Sequence, residues 1–333
     1  MCTGLTLKTK DGNHLFGRNM DIEYNFGQHV ILVPRQYSWK NVITGEVNKT
    51  KYAILGMAAV MDNHPLLADG LNEKGLACAG LNFPGYAYYE PKQEAGKVNL
   101  GPYDLMLWIL SNFDKLSEVK DAIPKVNLVD QPFSPVTPIP TLHWIVTDCT
   151  GDSIVIEKTK EGLKVYDNTV GVLTNSPTFD WHLTHLRQYI GLSSTQPDST
   201  TWYKEKLVPL GQGVGLHGLP GDFTPPSRFV RAAYLKSHAT FLENIEEGIA
   251  EFFHILANVA MVGGTVITPE GKNDITLYTS CMWQEKGIYY YITYKNPQIN
   301  AISMNEEELD ASSIKVFDYK DTLVIYEQNK KLK

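Results

Sequence analysis

Several features are scarce or missing in these 333 residues, and each absence excludes a class of function. Long hydrophobic runs are missing: no segment approaches the ~18 consecutive apolar residues of a membrane-spanning helix. The amino end has no charged leader followed by an apolar stretch and a cleavage site, so the expected location is the cytoplasm. Positive charge is in deficit. Lys and Arg total 30 against 37 Asp and Glu, a net charge of −7, and no stretch is strongly basic. Neither nucleic acid nor an anionic membrane is therefore an expected partner. Cysteine is sparse: Cys2, Cys78, Cys149 and Cys281 lie far apart with no C-x-x-C pair, and read as free thiols rather than a disulfide framework. Internal repeats, low-complexity tracts and a convincing linker are also missing, so one domain is expected over residues 1–333.

Motifs that imply cofactors are weak. Gly213-Val-Gly215-Leu-His-Gly218 matches G-x-G-x-x-G in form. No clear strand precedes it, and Leu-Pro-Gly follows where a helix should begin, so no dinucleotide site is expected. His182 and His185 stand three apart without a third ligand at clear spacing and read as helix-surface or core histidines. No metal and no other cofactor is expected.

What is present is the composition of a globular chain, 43% hydrophobic and 20% charged. Strand-like runs occur at 3–7, 14–18, 29–34, 52–60 and 76–83. Leu105, Ile109, Phe113, Leu116 and Ile123 recur at helical spacing, which predicts an amphipathic helix from Pro102 to Val126. Four short strands follow (LHWIVTD, SIVIEKT, LKVYD, GVLTN), then helical regions at 226–238 and 245–260. The chain closes on strands at YTSCMW, GIYYYITY and INAISM, with a last one near 314–326. Blocks of strands and helices in this order do not build a doubly wound parallel sheet. They fit an α+β fold of antiparallel sheets made from hairpins and covered by helices.

The opening, MCTGLTLKTKDGNHLFGRNMDIEY, carries the chemistry. Asp11-Gly12 between two alternating runs is a strong two-residue hairpin signal. On that register Lys10 pairs with Asn13 and Cys2 lies opposite Asp21, at the ~5 Å Cβ spacing of facing residues. Arg18 then points to the other face, and a bulge near Gly17 or Asn19 is needed to turn it toward the thiol. Removal of Met1, which is sterically easy before a small residue, would make Cys2 the first residue. An α-amine titrates near ~7.7–8.0 and a free thiol near ~8.5, so the Cys2 amine could take the proton of its own thiol. A nearby guanidinium favours the thiolate, and a carboxylate orients the resulting ammonium. With Met1 retained the nitrogen is an amide and the device fails.

These residues, together with ADGLNEKGLACAGLNFP (68–84), GVLTNSPTFDWH (171–182) and GLPGDFTPPSRFVRAAY (218–234), resemble the choloylglycine hydrolase family. The similarity runs from Met1 to about residue 326. The family contains bile salt hydrolases and penicillin V acylases of gut and soil bacteria. The resemblance implies an N-terminal nucleophile hydrolase, an αββα sandwich of two stacked antiparallel sheets between helical layers, assembled as a homotetramer. It implies Cys2 as nucleophile, Arg18 beside the thiol and Asp21 orienting the amine, with Asn175 and Arg228 completing the set. On residue type alone, Asn175 reads as a turn residue before Ser-Pro and Arg228 as a surface arginine at a helix start.

An amide under attack develops an oxyanion, for which the Asn175 side chain and the backbone N–H of Asn82 are the expected donors. The reaction implied is hydrolysis of glycine- or taurine-conjugated bile salts through a thioester. A penicillin V acylase and a non-catalytic binder on the same fold are the alternatives. The position matching Asn82 is typically asparagine in the bile salt branch and tyrosine in the penicillin branch, and this chain has Asn. Met20, Phe133 and Leu142 are the expected wall of an apolar acyl pocket.

Overall fold

The computed structural model describes residues 1–329. In chain order its first strands are β1 (Cys2–Lys8), β2 (His14–Ile22), β3 (His29–Val33), β4 (Ser38–Lys40), β5 (Val47–Lys49), β6 (Ile54–Met61) and β7 (His64–Asn72). There follow β8 (Ala77–Asn82), β9 (Val98–Leu100), helices α1 (Leu105–Asn112) and α2 (Leu116–Ala122), β10 (Val126–Leu128), β11 (Leu142–Thr147), β12 (Ser153–Thr159), β13 (Gly162–Asp167) and β14 (Val172–Leu173). The remainder is α3 (Phe179–Leu186), β15 (Thr200–Trp202), β16 (Glu205–Leu207), α4 (Pro225–His238), α5 (Ile245–Ala257), β17 (Ile275–Trp283), β18 (Ile288–Thr293), β19 (Asn300–Ser303) and β20 (Lys315–Val316).

Two large sheets dominate. One has six strands in the order β14-β1-β2-β17-β18-β19, the other eight in the order β13-β12-β11-β8-β7-β6-β3-β20. Neighbours in both are antiparallel, as hairpin-built sheets require. Side-chain alternation sorts the eight-stranded sheet into two faces. Val30, Leu32, Ile145 and Val155 enter the core shared with the six-stranded sheet. Ile31, Val33, Trp144, Val146, Ile154 and Ile156 turn outward against α1 and α2. Phe229, Phe252 and Leu256 of α4 and α5 cover the far side of the six-stranded sheet. The layers are therefore helix, sheet, sheet, helix: the αββα sandwich.

Three local expectations are corrected. The helix expected over 102–126 is two helices, because Phe113 is extended (ψ 151°) between them. Side chains from elsewhere satisfy the broken ends: Asn72 Nδ2 donates to Leu110 O and Phe113 O, and Asp148 Oδ2 accepts Leu116 N–H. Strand β7 escaped detection because Pro65, Asp69 and Gly70 interrupt its apolar pattern. The strand sought at 314–326 is reduced to Lys315–Val316. Among the described residues no helix is long and apolar enough to cross a membrane.

Candidate active site

The β1–β2 register differs by one residue from the two-residue-turn expectation. Thr9 N–H donates to Asn13 O (3.0 Å) and Gly12 N–H to Thr9 O, so Lys10, Asp11 and Gly12 form a three-residue loop. Gly12 takes φ +90°, the left-handed conformation that closes a type I turn with a bulge and favours glycine. Cys2 therefore faces Met20, and Gly4 faces Arg18. Asp21 N–H donates to Met1 O at 2.9 Å. A one-residue shift exchanges the faces of a strand. Cys2, Gly4, Arg18 and Met20 now share the face toward the second sheet, where a Cβ on Gly4 would meet Ile145 and Leu81. Arg18 reaches the thiol with no bulge in β1–β2. Gly17 remains flat against β17, where a Cβ would lie 2.0 Å from Ser280 O.

Arg18 is fully buried and its Nη2 donates to Cys2 Sγ. Nη1 donates to Gly80 O (2.6 Å) and Ala68 O (3.2 Å). Those carbonyls are open because β7 and β8 pair only as far as Asp69 and Ala79. Burial opposes the guanidinium charge, but the charges of Cys2, Tyr278, Asp69 and Asp21 outweigh it and raise the Arg18 pKa. Asp69 is itself buried, accepting 2.6 Å hydrogen bonds from the hydroxyls of Tyr278 and Tyr289. Burial raises its pKa against the pull of Arg18 and the two tyrosines. This Asp–Tyr–Tyr support was not anticipated, since the two tyrosines lie 209 and 220 residues further along the chain.

Asp21 lies on the opposite face of the hairpin, fully buried. Oδ1 accepts from Thr276 Oγ1 at 2.6 Å, while Oδ2 has no hydrogen-bond donor and stands 3.9 Å from Arg228 Nη1. Burial raises its pKa, offset by Arg228, the Met1 amine and the Thr276 bond. Arg228, from the first turns of α4, is buried, not superficial. It donates to Thr3 Oγ1 (2.7 Å), Cys2 O, Asn175 Oδ1 (2.6 Å) and Phe223 O (2.9 Å). Burial lowers its pKa, against the charges of Asp21 and Cys2. Two guanidiniums thus bracket β1 at Cys2, one on each face.

Asn175 follows β14, which pairs with β1 at Gly4 and Leu5. Its Oδ1 accepts from Arg228 and from Cys2 N–H (2.9 Å), and its Nδ2 donates to Asn82 O at 2.7 Å. The amide orientation follows from these partners. Phe83 N–H donates to Thr141 O, so the neighbouring Asn82–Leu142 pair is non-hydrogen-bonded. Asn82 N–H consequently turns away from β11, toward the side where the β7 pairing has ended. The Asn82 side chain accepts from Thr141 Oγ1 at 2.7 Å.

A cavity of about 340 Å³ opens over Cys2, Arg18 and Asn82, within the range of small-molecule sites. Met20 and Leu142 line it, joined by Ile22, Tyr24 and Ile139, which sequence reasoning missed. Phe133 is not in this lining; it packs on His64 and Tyr103 (centroids 4.9 and 5.5 Å), holding the 131–141 loop from outside. A larger cleft of about 760 Å³ beside Trp108 is lined by no cysteine. Among the described residues no group of three or more His, Cys, Asp or Glu could hold a metal ion. Met1 precedes Cys2, its amine donating to Asp21 O and lying 3.4 Å from Asp274 Oδ2. The arrangement is a thiol under a guanidinium, beside two amide donors, at the floor of a partly apolar cavity.

The chain is similar to known proteins over nearly its whole length. The family model for linear amide C–N hydrolases, choloylglycine hydrolase family, matches residues 2–317. A bile salt hydrolase/transferase of Clostridium perfringens strain 13 is 54% identical, over 99% of this chain and 100% of that protein. The crystal structure of the C2A mutant of conjugated bile acid hydrolase from Clostridium perfringens superposes with a TM-score of 0.94, covering 99% of this chain and 100% of the other at 54% identity. The penicillin V acylase of Agrobacterium tumefaciens shares the fold, with a TM-score of 0.74 over 95% of this chain and 90% of the other, at 22% identity.

Proposed function

Because the chain belongs to the choloylglycine hydrolase family of linear amide C–N hydrolases, we propose that Cys2 is the nucleophile with which it cleaves conjugated bile salts. The protein is an amide-cleaving hydrolase whose substrates are conjugated bile salts. The observation that carries the assignment of the site is the Arg18 guanidinium donating to the Cys2 thiol beside Asn82 and Asn175.

In the reaction proposed, loss of Met1 frees the Cys2 amine. Asp21 Oδ2, buried without a donor, is an acceptor for the ammonium that forms when this amine takes the thiol proton. The thiolate attacks the amide carbonyl carbon, and the oxyanion is met by Asn82 N–H and Asn175 Nδ2–H. The C–N bond breaks as the ammonium protonates the leaving glycine or taurine nitrogen. Water, deprotonated by the Cys2 amine, then attacks the thioester and releases the bile acid. Arg18 supports the thiolate, Arg228 holds Asn175 and the Cys2 carbonyl, and Met20 and Leu142 face the acyl group. Phe133 would act only by bracing the loop that carries Ile139 and Leu142.

The bile salt branch is favoured over penicillin V by Asn82, a small side chain where a tyrosine ring would fill the cavity. We further propose a single domain over residues 1–333, a cytoplasmic location and a homotetramer. Support for assembly comes from Trp202, Tyr203, Val208 and Leu210, large apolar side chains exposed on and just after the β15–β16 hairpin.

The test is amine release from glycocholate, taurocholate and penicillin V in parallel, with the mass of the amino-terminal peptide recorded. Fast release from the bile salts by protein lacking Met1 is the expected result. Faster cleavage of penicillin V would overturn the branch assignment, and full activity with Met1 retained would overturn the amine's role as base.

A further inference from the structure

We propose that His143 is a positioning residue for this hydrolysis: its imidazole, anchored by Glu157, fixes the two backbone segments that carry Asn82 and Asn175. The proposal rests on the hydrolase reading above. His143 lies on β11 and is fully buried, and so is Glu157 on β12. One face of the imidazole stacks on Phe83, with centroids 4.3 Å apart and planes at 8°. Phe83 directly follows Asn82. Nε2 of the same ring lies 3.0 Å from Thr174 O, and Thr174 directly precedes Asn175. Nδ1 meets Glu157 Oε1 at 3.1 Å, and that oxygen also accepts Phe179 N–H at 3.0 Å. One side chain therefore touches both segments that converge on Cys2. Its anchor holds the far end of the 174–179 segment at the start of α3.

Hydrogen-bond capacity makes this contact demanding. A carbonyl only accepts, so Nε2 must carry hydrogen to bond Thr174 O. The contact between Nδ1 and Glu157 needs a second proton, on the ring or on the carboxyl. A neutral imidazole beside an ionised carboxylate has only one N–H and leaves one of the two contacts unmade. A second imidazole reinforces the grip, since His182 Nε2 donates to Asn175 O at 2.8 Å. Consecutive carbonyls on either side of the Asn175 Cα are thus each held by a histidine. A pair kept only for packing could be exchanged for apolar groups of the same shape at little cost. This pair instead directs one donor, His143 Nε2–H, at Thr174 O and one acceptor, Glu157 Oε1, at Phe179 N–H, while the ring packs on the residue after Asn82.

The test uses His143→Phe, which keeps a ring against Phe83 and removes both ring nitrogens. His143→Gln, which can serve Thr174 O or Glu157 but not both, is the second variant. Displacement of a reacting group by ~1 Å costs on the order of 10²-fold. With glycocholate, H143F should lose about 10- to 100-fold in kcat and H143Q about 3- to 10-fold, each with KM within about threefold of wild type. Alkylation of Cys2 by iodoacetamide should stay within about twofold in both, because Arg18 and not the clamp touches the thiol. Should H143F fail to fold, H143Q alone decides. A kcat within twofold of wild type in H143Q, or alkylation falling in step with kcat, overturns the proposal. A wild-type protein that alkylates yet releases no glycine overturns the hydrolase reading, and this proposal with it.

Discussion

Replacing Asn175 by alanine removes the side chain on which most of the site converges. Nδ2 carries two hydrogens and gives one to Asn82 O at 2.7 Å, leaving the second for a substrate oxygen. Loss of one oxyanion donor typically costs about 2.7–4 kcal/mol of barrier, or roughly 10²–10³ in kcat. The same substitution strands Cys2 N–H and Arg228 Nη2, both buried, which now share Asn175 Oδ1 at 2.9 and 2.6 Å. Leaving buried donors unpaired costs on the order of 1–3 kcal/mol each, more for a charged group. N175A should therefore be less stable by about 3 kcal/mol as well as slow.

Asn175→Asp separates the two effects. It retains an acceptor for Arg228 and Cys2 N–H but sets a carboxylate oxygen against Asn82 O where a donor stood, so its urea midpoint should fall less than that of N175A while it still loses roughly 10²-fold in kcat. Initial rates of glycine release across a range of glycocholate concentrations, with a urea midpoint for each variant, give kcat, KM and stability together. A kcat within tenfold of wild type in N175D would refute the oxyanion role. A loss carried entirely by KM would show that Asn175 only binds substrate.

Three further outcomes are expected. Arg18→Leu should slow Cys2 alkylation at pH 7 by tenfold or more, because the cation on the thiol is gone while buried Asp69 remains; an unchanged rate would remove Arg18 from the thiol's activation. Asn82→Tyr should reduce bile salt turnover more than penicillin V turnover, and equal losses would sink the selectivity argument. His182 is held by burial to a pKa of about 4, with the charges of His143, Arg228 and His185 pressing the same way and its bond to Asn175 O opposing; an exposed imidazole titrates near ~6.5. The unfolded chain binds more protons between those values, so stability present above about pH 6.5 should fall by roughly 3 kcal/mol toward pH 4. Urea midpoints against pH should flatten in H182Q, and an unaltered slope would refute this.

Legibility from sequence followed the range of the interactions. Antiparallel sheets under helices could be read because alternation and helical spacing are local signals, as in LKVYD on β13. Where tertiary partners override local preference, the reading failed. Phe113 is apolar and at helical spacing, yet Asn72 and Asp148 satisfy a break there. Nothing local marks Asp69, which is a buried carboxylate accepting from two tyrosines more than 200 residues away in the chain. Arg228 looked superficial in isolation because nothing local announces that Asn175, Thr3 and the Cys2 carbonyl will converge on it. Phe133 was assigned to the cavity by its apolar character, but His64 and Tyr103 claim it on the far side of the loop.

The one-residue register difference bears most directly on the chemistry. A two-residue turn would put the thiol and Asp21 on one face and Arg18 on the other, so the cation would need a bulge to reach the sulfur. The three-residue loop Lys10-Asp11-Gly12 places Arg18 with the thiol and moves Asp21 to the side of Arg228 and the amino terminus. Arg18 and Asp21, three positions apart, then cannot pair with one another across a strand whose alternate side chains leave by opposite faces. Arg18 takes Asp69 of the second sheet as its counter-charge, and Asp21 takes Arg228. The group that would stabilise a thiolate and the group that would hold an ammonium are each balanced from a different layer. Sequence spacing alone, with Asp-Gly consistent with either turn length, did not distinguish this arrangement from its mirror in face. The discriminating facts are the Thr9 N–H to Asn13 O hydrogen bond and the absence of the positive φ at Asp11 that a two-residue type I′ turn would need; the loop is thereby one residue longer, and every side chain from Cys2 to Asp21 is set on its face.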